Sequence, residues 1–112
     1  MKLIQIINSY TVLGNLAQQK GLNIKTTWWM AKNIQRLEPD FKVFDDTRKQ
    51  LARQHYDGEV LKEGHQEEAD RKFKDLLDME VEVTPYIAKL DNLNCIMTVQ
   101  DMITLEWLIV DE

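Results

Sequence analysis

Between Thr27 and Tyr56 the chain carries a stripe at steps of three and four: Met30, Ile34, Leu37, Phe41, Phe44, Arg48, Leu51 and His55. Those steps keep residues on one face of an α-helix, so the spacing predicts a single long helix. Most of the stripe is apolar and needs a cover. The nearest cover lies downstream, where Ala69, Phe73, Leu76 and Glu80 repeat the spacing after a polar segment from Asp57 to Gly64. A helical hairpin is therefore expected. Pro39 falls inside it, removing one backbone hydrogen bond and crowding the carbonyl four residues back, so a kink is expected near Arg36 to Glu38. Because the register passes through Pro39 undisturbed, one kinked rod is expected rather than two helices. Such a rod would be about 45 Å long and a return helix over 66–79 about 20 Å. The return helix can cover only part of it, and the first and last helices, or another chain, must close the rest.

The flanking segments supply those helices. Leu3, Ile6, Ile7, Tyr10, Leu13, Leu16 and Ala17 predict an amphipathic helix over 2–20 that stops at Lys20-Gly21-Leu22, with Gly21 in the left-handed conformation. Gly14 in its interior costs about 1 kcal/mol against Ala and suggests a close approach of another helix. Thr26 or Thr27 is expected to cap the long helix. Glu80-Val81-Glu82-Val83-Thr84 alternates like a half-buried strand, and Tyr86 to Leu90 is a second extended piece that could pair with it. Asp91 to Cys95 reads as a turn. Thr98 and Asp101 form a capping box for a last helix running to about Val110, apolar nearly all round and so either deeply buried or an interface. The expectation is one mainly α domain over 1–112: a helical hairpin with a long kinked helix, two flanking helices and a short β element.

At 112 residues the chain is long enough for one modest core. Four Gly and two Pro argue against a turn-rich β-sandwich. The single cysteine, Cys95, cannot form an internal disulfide, which points to a reducing compartment and a cytoplasmic location. The first apolar run is too short and interrupted for a signal peptide, and no stretch reaches the roughly 18 apolar residues of a membrane span. Net charge is −5, distributed as +5 over residues 1–56, −6 over 57–82 and −4 over 83–112. Internal neutralisation between a basic and an acidic half is the simplest reading of that asymmetry. An acidic face that imitates nucleic acid for a basic partner is the sharper one.

Little in the sequence points to catalysis. His55 and His65 lie ten residues apart and Cys95 stands alone, so a zinc site, even with Glu67 or Glu68 added, lacks the close ligand pairs such sites use. There is no Gly-x-Ser-x-Gly elbow, phosphate-binding loop or dinucleotide fingerprint. The carboxylates Glu67, Glu68 and Asp70 have nothing apolar around them to raise a pKa and read as a solvated helix face. Arg48, on the apolar stripe, is expected to meet Asp70 or Glu67 of the return helix. No enzyme, metal or cofactor is expected. Lys25, Lys32, Arg36, Lys49 and Arg53 beside two tryptophans give some basis for nucleic-acid contact, but direct binding is not expected of a chain that is acidic overall. The adjacent Trp28 and Trp29 point about 100° apart on a helix. Both cannot face one narrow seam, so either the first and last helices cover both or one stays at the surface as an aromatic interface anchor.

The N-terminal Met-Lys-Leu-Ile-Gln-Ile-Ile-Asn helix, Met30 to Ile34 leading into Leu37-Glu38-Pro39-Asp40-Phe41 and Phe44-Asp45-Asp46-Thr47-Arg48, and above all Phe73 to Val83 resemble a group of small helical proteins of tailed phages and prophages. The likeness spans most of the chain and rests on scaffold motifs. It implies a phage or prophage origin and no catalytic residues; the tryptophan pair is not part of it. The functional expectation is binding of another protein through Trp28, Trp29, Glu67, Glu68 and Asp70, inhibiting or redirecting a host factor such as a defence nuclease. The alternatives are an accessory of head or tail assembly that joins virion components, and a homo-oligomer that sequesters an anionic small ligand with Arg48, Lys32 or Arg36.

Overall fold

The computed structural model describes residues 1–57, 60–61 and 66–111, with backbone alone for 54–57, 60, 61 and 66. In chain order these form α1 (Leu3–Leu16), α2 (Ile24–His55), β1 (Tyr56–Asp57), β2 (Val60–Leu61), α3 (Gln66–Leu77), β3 (Ala88–Lys89), α4 (Val99–Leu105) and β4 (Ile109–Val110). The fold is mainly α with small β pairs: β1 runs antiparallel to β2, and β3 runs parallel to β4. The helical hairpin, the flanking helices and a short β element are all present.

The organising element is α2, 32 residues long and unbroken through Pro39. Its length of about 48 Å by helical rise accounts for most of the 53 Å long axis of the molecule. The stripe continues through the proline, which is why one helix survives it: Met30, Leu37 and Phe44 are buried on one line, with Ile34, Phe41 and Leu51 half-buried beside them. Arg48, on the same line, is exposed. The carbonyl that Pro39 leaves without a donor belongs to Gln35, an exposed residue, where water can serve it. The seam position His55 lies outside the described side chains.

The core is built where α1, α2 and the C-terminal segment meet. Ile6, Leu13, Leu16, Trp29, Met30, Leu37, Leu105 and Leu108 form one buried cluster. Burial of a Leu or Met side chain is worth about 1.5–3 kcal/mol, so this cluster, at the Trp28 end of α2, dominates the stability. The middle of α2 is held differently. Tyr10 of α1 stacks on Phe41 at 4.4 Å, Phe41 meets Phe44 at 6.2 Å, and Phe44 meets Phe73 of α3 at 6.2 Å. This aromatic chain is how the short return helix covers its part of the stripe. α4 is tied to α1 through Ser9, which accepts the Trp107 indole N–H at 2.9 Å and is itself fully buried.

Several expectations fail for identifiable reasons. α1 ends at Leu16 rather than near Lys20, although Gly21 does take the left-handed conformation, with φ of 77°. Gly14 is exposed, and a Cβ there would find nothing within 4 Å, so no helix approaches it closely. The α2 cap is Asn23, whose Oδ1 accepts the Thr26 N–H at 2.7 Å; Thr26 and Thr27 already lie inside the first turn. The expected strand Glu80–Thr84 is only a bridge between Lys2 and Glu80, flanked by Leu3 N–H to Met79 O and Val81 N–H to Met1 O. The extended piece at 86–90 pairs instead with the chain's end, Ala88 opposite Ile109 and Lys89 opposite Val110. That pairing explains why α4, begun by the expected Thr98–Asp101 capping box, stops at Leu105 and passes through a 3-10 turn, Glu106–Leu108, into β4. The polar segment after α2 contains the β1–β2 pair, and positions 58, 59 and 62–65, His65 among them, lie outside the described residues.

Candidate partner-binding groove

The two tryptophans have opposite fates, fixed by the roughly 100° between helix neighbours. Trp29 points into the core, fully buried, and its indole N–H donates to the Leu108 carbonyl at 3.0 Å. Trp28 points the other way and stays 52% exposed. Trp29 is therefore a structural residue, and the interface expectation passes to Trp28 alone.

Opposite Trp28 stands a wall made by residues 86–92, and polar side chains hold it at both ends. At one end Asn33, 1% exposed, accepts the Tyr86 N–H at 2.9 Å and donates its amide to the Tyr86 carbonyl at 2.8 Å and the Trp29 carbonyl at 3.0 Å. One side chain thus does for Tyr86 what a neighbouring strand would do. At the other end Asn23 donates to the Asn92 carbonyl, the Asn94 side chain accepts the Asn23 N–H at 2.9 Å, and buried Thr26 accepts the Asn94 N–H at 3.0 Å. The start of α2 and this wall enclose an open groove of about 600 Å³ lined by Ile24, Lys25, Trp28, Tyr86, Ile87, Ala88, Lys89 and Asn92. Besides Trp28, Ile24 and Ile87 are large apolar residues left facing solvent there.

The groove is rimmed by cations. The Lys32 ammonium lies over the Trp28 ring, 4.8 Å from its centroid, and the Arg36 guanidinium lies over Tyr86 at 5.8 Å. Arg36 also donates to the Thr84 carbonyl at 3.0 Å, and Lys25 reaches the Asn92 side-chain oxygen at 3.4 Å. Among the described residues none of Lys25, Lys32, Arg36 and Lys89 makes an ion pair, whereas Lys42, Arg48, Lys49 and Lys72 each take a carboxylate on their own helix. The basic first half of the chain is therefore not neutralised at this end of α2.

Comparison of the chain with protein-family models, curated proteins and solved structures finds no match. Its function must be read from its own surfaces.

The remaining candidates are less well formed. Glu67, Glu68 and Asp70 are all exposed on α3. Glu67 and Glu68 lie in the first turn, where carboxylates complement the helix dipole, and Glu68 pairs with Lys72 at 3.1 Å. Arg48 takes Asp45, three residues back, at 2.8 Å rather than Asp70 or Glu67, because the same-helix carboxylate is within reach without crossing the seam. Arg48 and Lys49 together hold the Asp45 carboxyl below the usual carboxylate range. Burial pushes the half-buried Cys95 thiol up, the reverse of an activated nucleophile. Among the described residues no three metal-ligating side chains converge, and no helix is long and apolar enough to cross a membrane.

Ile24, Lys25, Tyr86, Ile87 and Lys89 were not singled out together by the sequence pattern. Half of the signal was present, since Ile24, Trp28, Lys32 and Arg36 fall at successive one-turn spacings on α2. The wall opposite them depends on contacts made across more than fifty residues of chain.

Proposed function

We propose that this protein acts without chemistry of its own, by binding another protein at the Trp28 groove. The observation that carries the reading is the split of the tryptophan pair. One indole is buried in the core, while its neighbour stands beside two exposed isoleucines in a groove with a defined wall. A half-exposed Trp with apolar neighbours and a polar rim has the composition of an interface hot spot. The acidic face of α3 is the weaker contact, since dipole compensation and the Lys72 pair already account for Glu67 and Glu68. The proposed setting is the cytoplasm of a phage-infected cell, with the partner a host factor, such as a defence nuclease, that is inhibited or redirected. The resemblance to phage proteins and the single unpaired cysteine support that setting.

The test is affinity capture from such cells with three baits: the wild-type chain, Trp28→Ala, and the triple variant Glu67→Lys, Glu68→Lys, Asp70→Lys. The expected result is a partner retained by the triple variant and lost with Trp28→Ala, by about thirtyfold in affinity for a hot spot of about 2 kcal/mol. Loss with the triple variant alone would transfer the site to α3. Recovery of virion components alone would make the protein an assembly accessory.

A further inference from the structure

We propose that the groove recognises an extended acidic segment of the partner protein, one whose apolar side chain is flanked by aspartates or glutamates. This rests on the protein-binding reading above and adds the chemistry of the ligand. α2 presents Ile24, Trp28, Lys32 and Arg36 one turn apart, each step about 6 Å along the helix. The surface thus passes from an apolar end to a cationic end over about 18 Å, with Lys25 and Lys89 flanking the apolar end. An apolar side chain of the ligand fills the space between Trp28, Ile24 and Ile87. Carboxylates on either side of it then meet Lys25 and Lys89, or Lys32 and Arg36, none of which has an ion-pair partner within the described chain. Arg36 and Lys32 are held over Tyr86 and Trp28, so little side-chain freedom is lost when they engage.

The same basic and aromatic residues raise the question of single-stranded nucleic acid, and two observations favour the peptide. A base needs an open aromatic face, and Lys32 already takes one face of the Trp28 ring at 4.8 Å, while Ile24 and Ile87 offer a base nothing to stack on. The chain as a whole carries −5, with residues 57–112 strongly negative. A long polyanion meets that repulsive field, whereas a short acidic segment senses mainly charges within a Debye length of about 8–10 Å.

The experiment measures binding of fluorescent probes to the full chain by anisotropy. The probes are a peptide of about a dozen residues with a central Leu-Phe flanked by Asp and Glu, the same peptide with every acid replaced by Lys, and an oligothymidylate of similar charge. The acidic peptide is expected to bind at least about tenfold more tightly than its Lys counterpart, and to weaken severalfold between about 50 and about 300 mM NaCl. The double variant Lys25→Glu, Lys89→Glu and the variant Trp28→Ala, both confirmed folded by circular dichroism, are each expected to lose at least about tenfold. Equal binding of the two peptides, or no binding of either, overturns the inference. Tighter binding of oligothymidylate that is lost with the same substitutions overturns it in favour of nucleic acid. A captured partner lost with Trp28→Ala but unaffected by the Lys25 and Lys89 reversals refutes the acidic ligand while leaving protein binding intact.

Discussion

Replacing Asn33 by Ala removes the side chain on which the wall of the groove hangs. Three hydrogen bonds are lost at once: two to the backbone of Tyr86, at 2.9 and 2.8 Å, and one to the Trp29 carbonyl at 3.0 Å. The Trp29 carbonyl still has its helical partner position, so the cost concentrates on the N–H and C=O of Tyr86. An unsatisfied buried donor or acceptor costs about 1–3 kcal/mol, and Tyr86 is only partly buried, so the lower half of that range applies to each group. Together they give a loss of about 3 kcal/mol. With a urea slope of about 1.5 kcal/mol per M, typical of a small domain, the unfolding midpoint falls by about 2 M. Urea titrations followed by circular dichroism measure it, with Asn15→Ala, at an exposed site, as the control expected to stay within about 0.5 kcal/mol. Asn33→Asp adds a sign test. A neutral carboxyl can still donate to the Tyr86 carbonyl and accept its N–H, but a buried carboxylate cannot donate, so the folded pKa of the new group is raised. Its penalty is therefore small below the unfolded carboxylate pKa of about 3.9 and grows as pH rises above it. A midpoint shift under about 0.5 M for Asn33→Ala, or a penalty for Asn33→Asp that shrinks with rising pH, refutes the claim that Asn33 anchors the wall.

Three further outcomes follow from the geometry. Gly14→Ala is expected to stabilise the protein by about 0.5 kcal/mol in the same titration, because Gly14 is helical, in the last turn of α1, and a Cβ there meets nothing within 4 Å. The Asp45 carboxyl is expected to titrate by NMR below its ordinary value of 3.8, and to return towards it in the double variant Arg48→Ala, Lys49→Ala. Because that pKa is depressed on folding, the associated stability is present above the unfolded value and is lost as pH falls through the folded one. Cys95 is expected to alkylate with iodoacetamide severalfold more slowly than a free cysteine peptide at pH 8, and to match it in urea, since burial holds its thiol protonated.

The sequence disclosed what depends on local periodicity. The α2 stripe survives Pro39 because Leu37 and Phe41 bracket it in register, and the Thr98–Asp101 cap was visible as a residue pair. Phe73 was legible as cover for part of that stripe for the same reason, and it meets Phe44 there. What stayed hidden depends on partners distant in the chain. Trp29 and not Trp28 turns inward, onto a cluster that includes Leu13 and Leu105 and onto the Leu108 carbonyl seventy-nine residues away. The alternation from Glu80 to Thr84 is a genuine strand pattern, yet a strand needs a ladder; among the described residues Glu80 finds one bridge, to Lys2, and Asn33 takes the backbone of Tyr86. The all-round apolar segment from Val99 to Val110 could not remain one helix once Ile109 and Val110 were recruited beside Ala88 and Lys89. The acidic and aromatic site residues were likewise only half readable, because exposure of Trp28 is a property of one residue and the groove is a property of two distant segments.

Whether a partner lies against Trp28 is read from the hydrogen-exchange footprint that the captured partner leaves on this protein. A partner bound at the groove gives new protection in the first turns of α2, around Lys25 to Trp28, and in the wall from Tyr86 to Asn92, with α3 unchanged. Protection confined to α3 around Glu67 to Asp70, with the wall exchanging as it does in the free chain, would contradict binding at the groove.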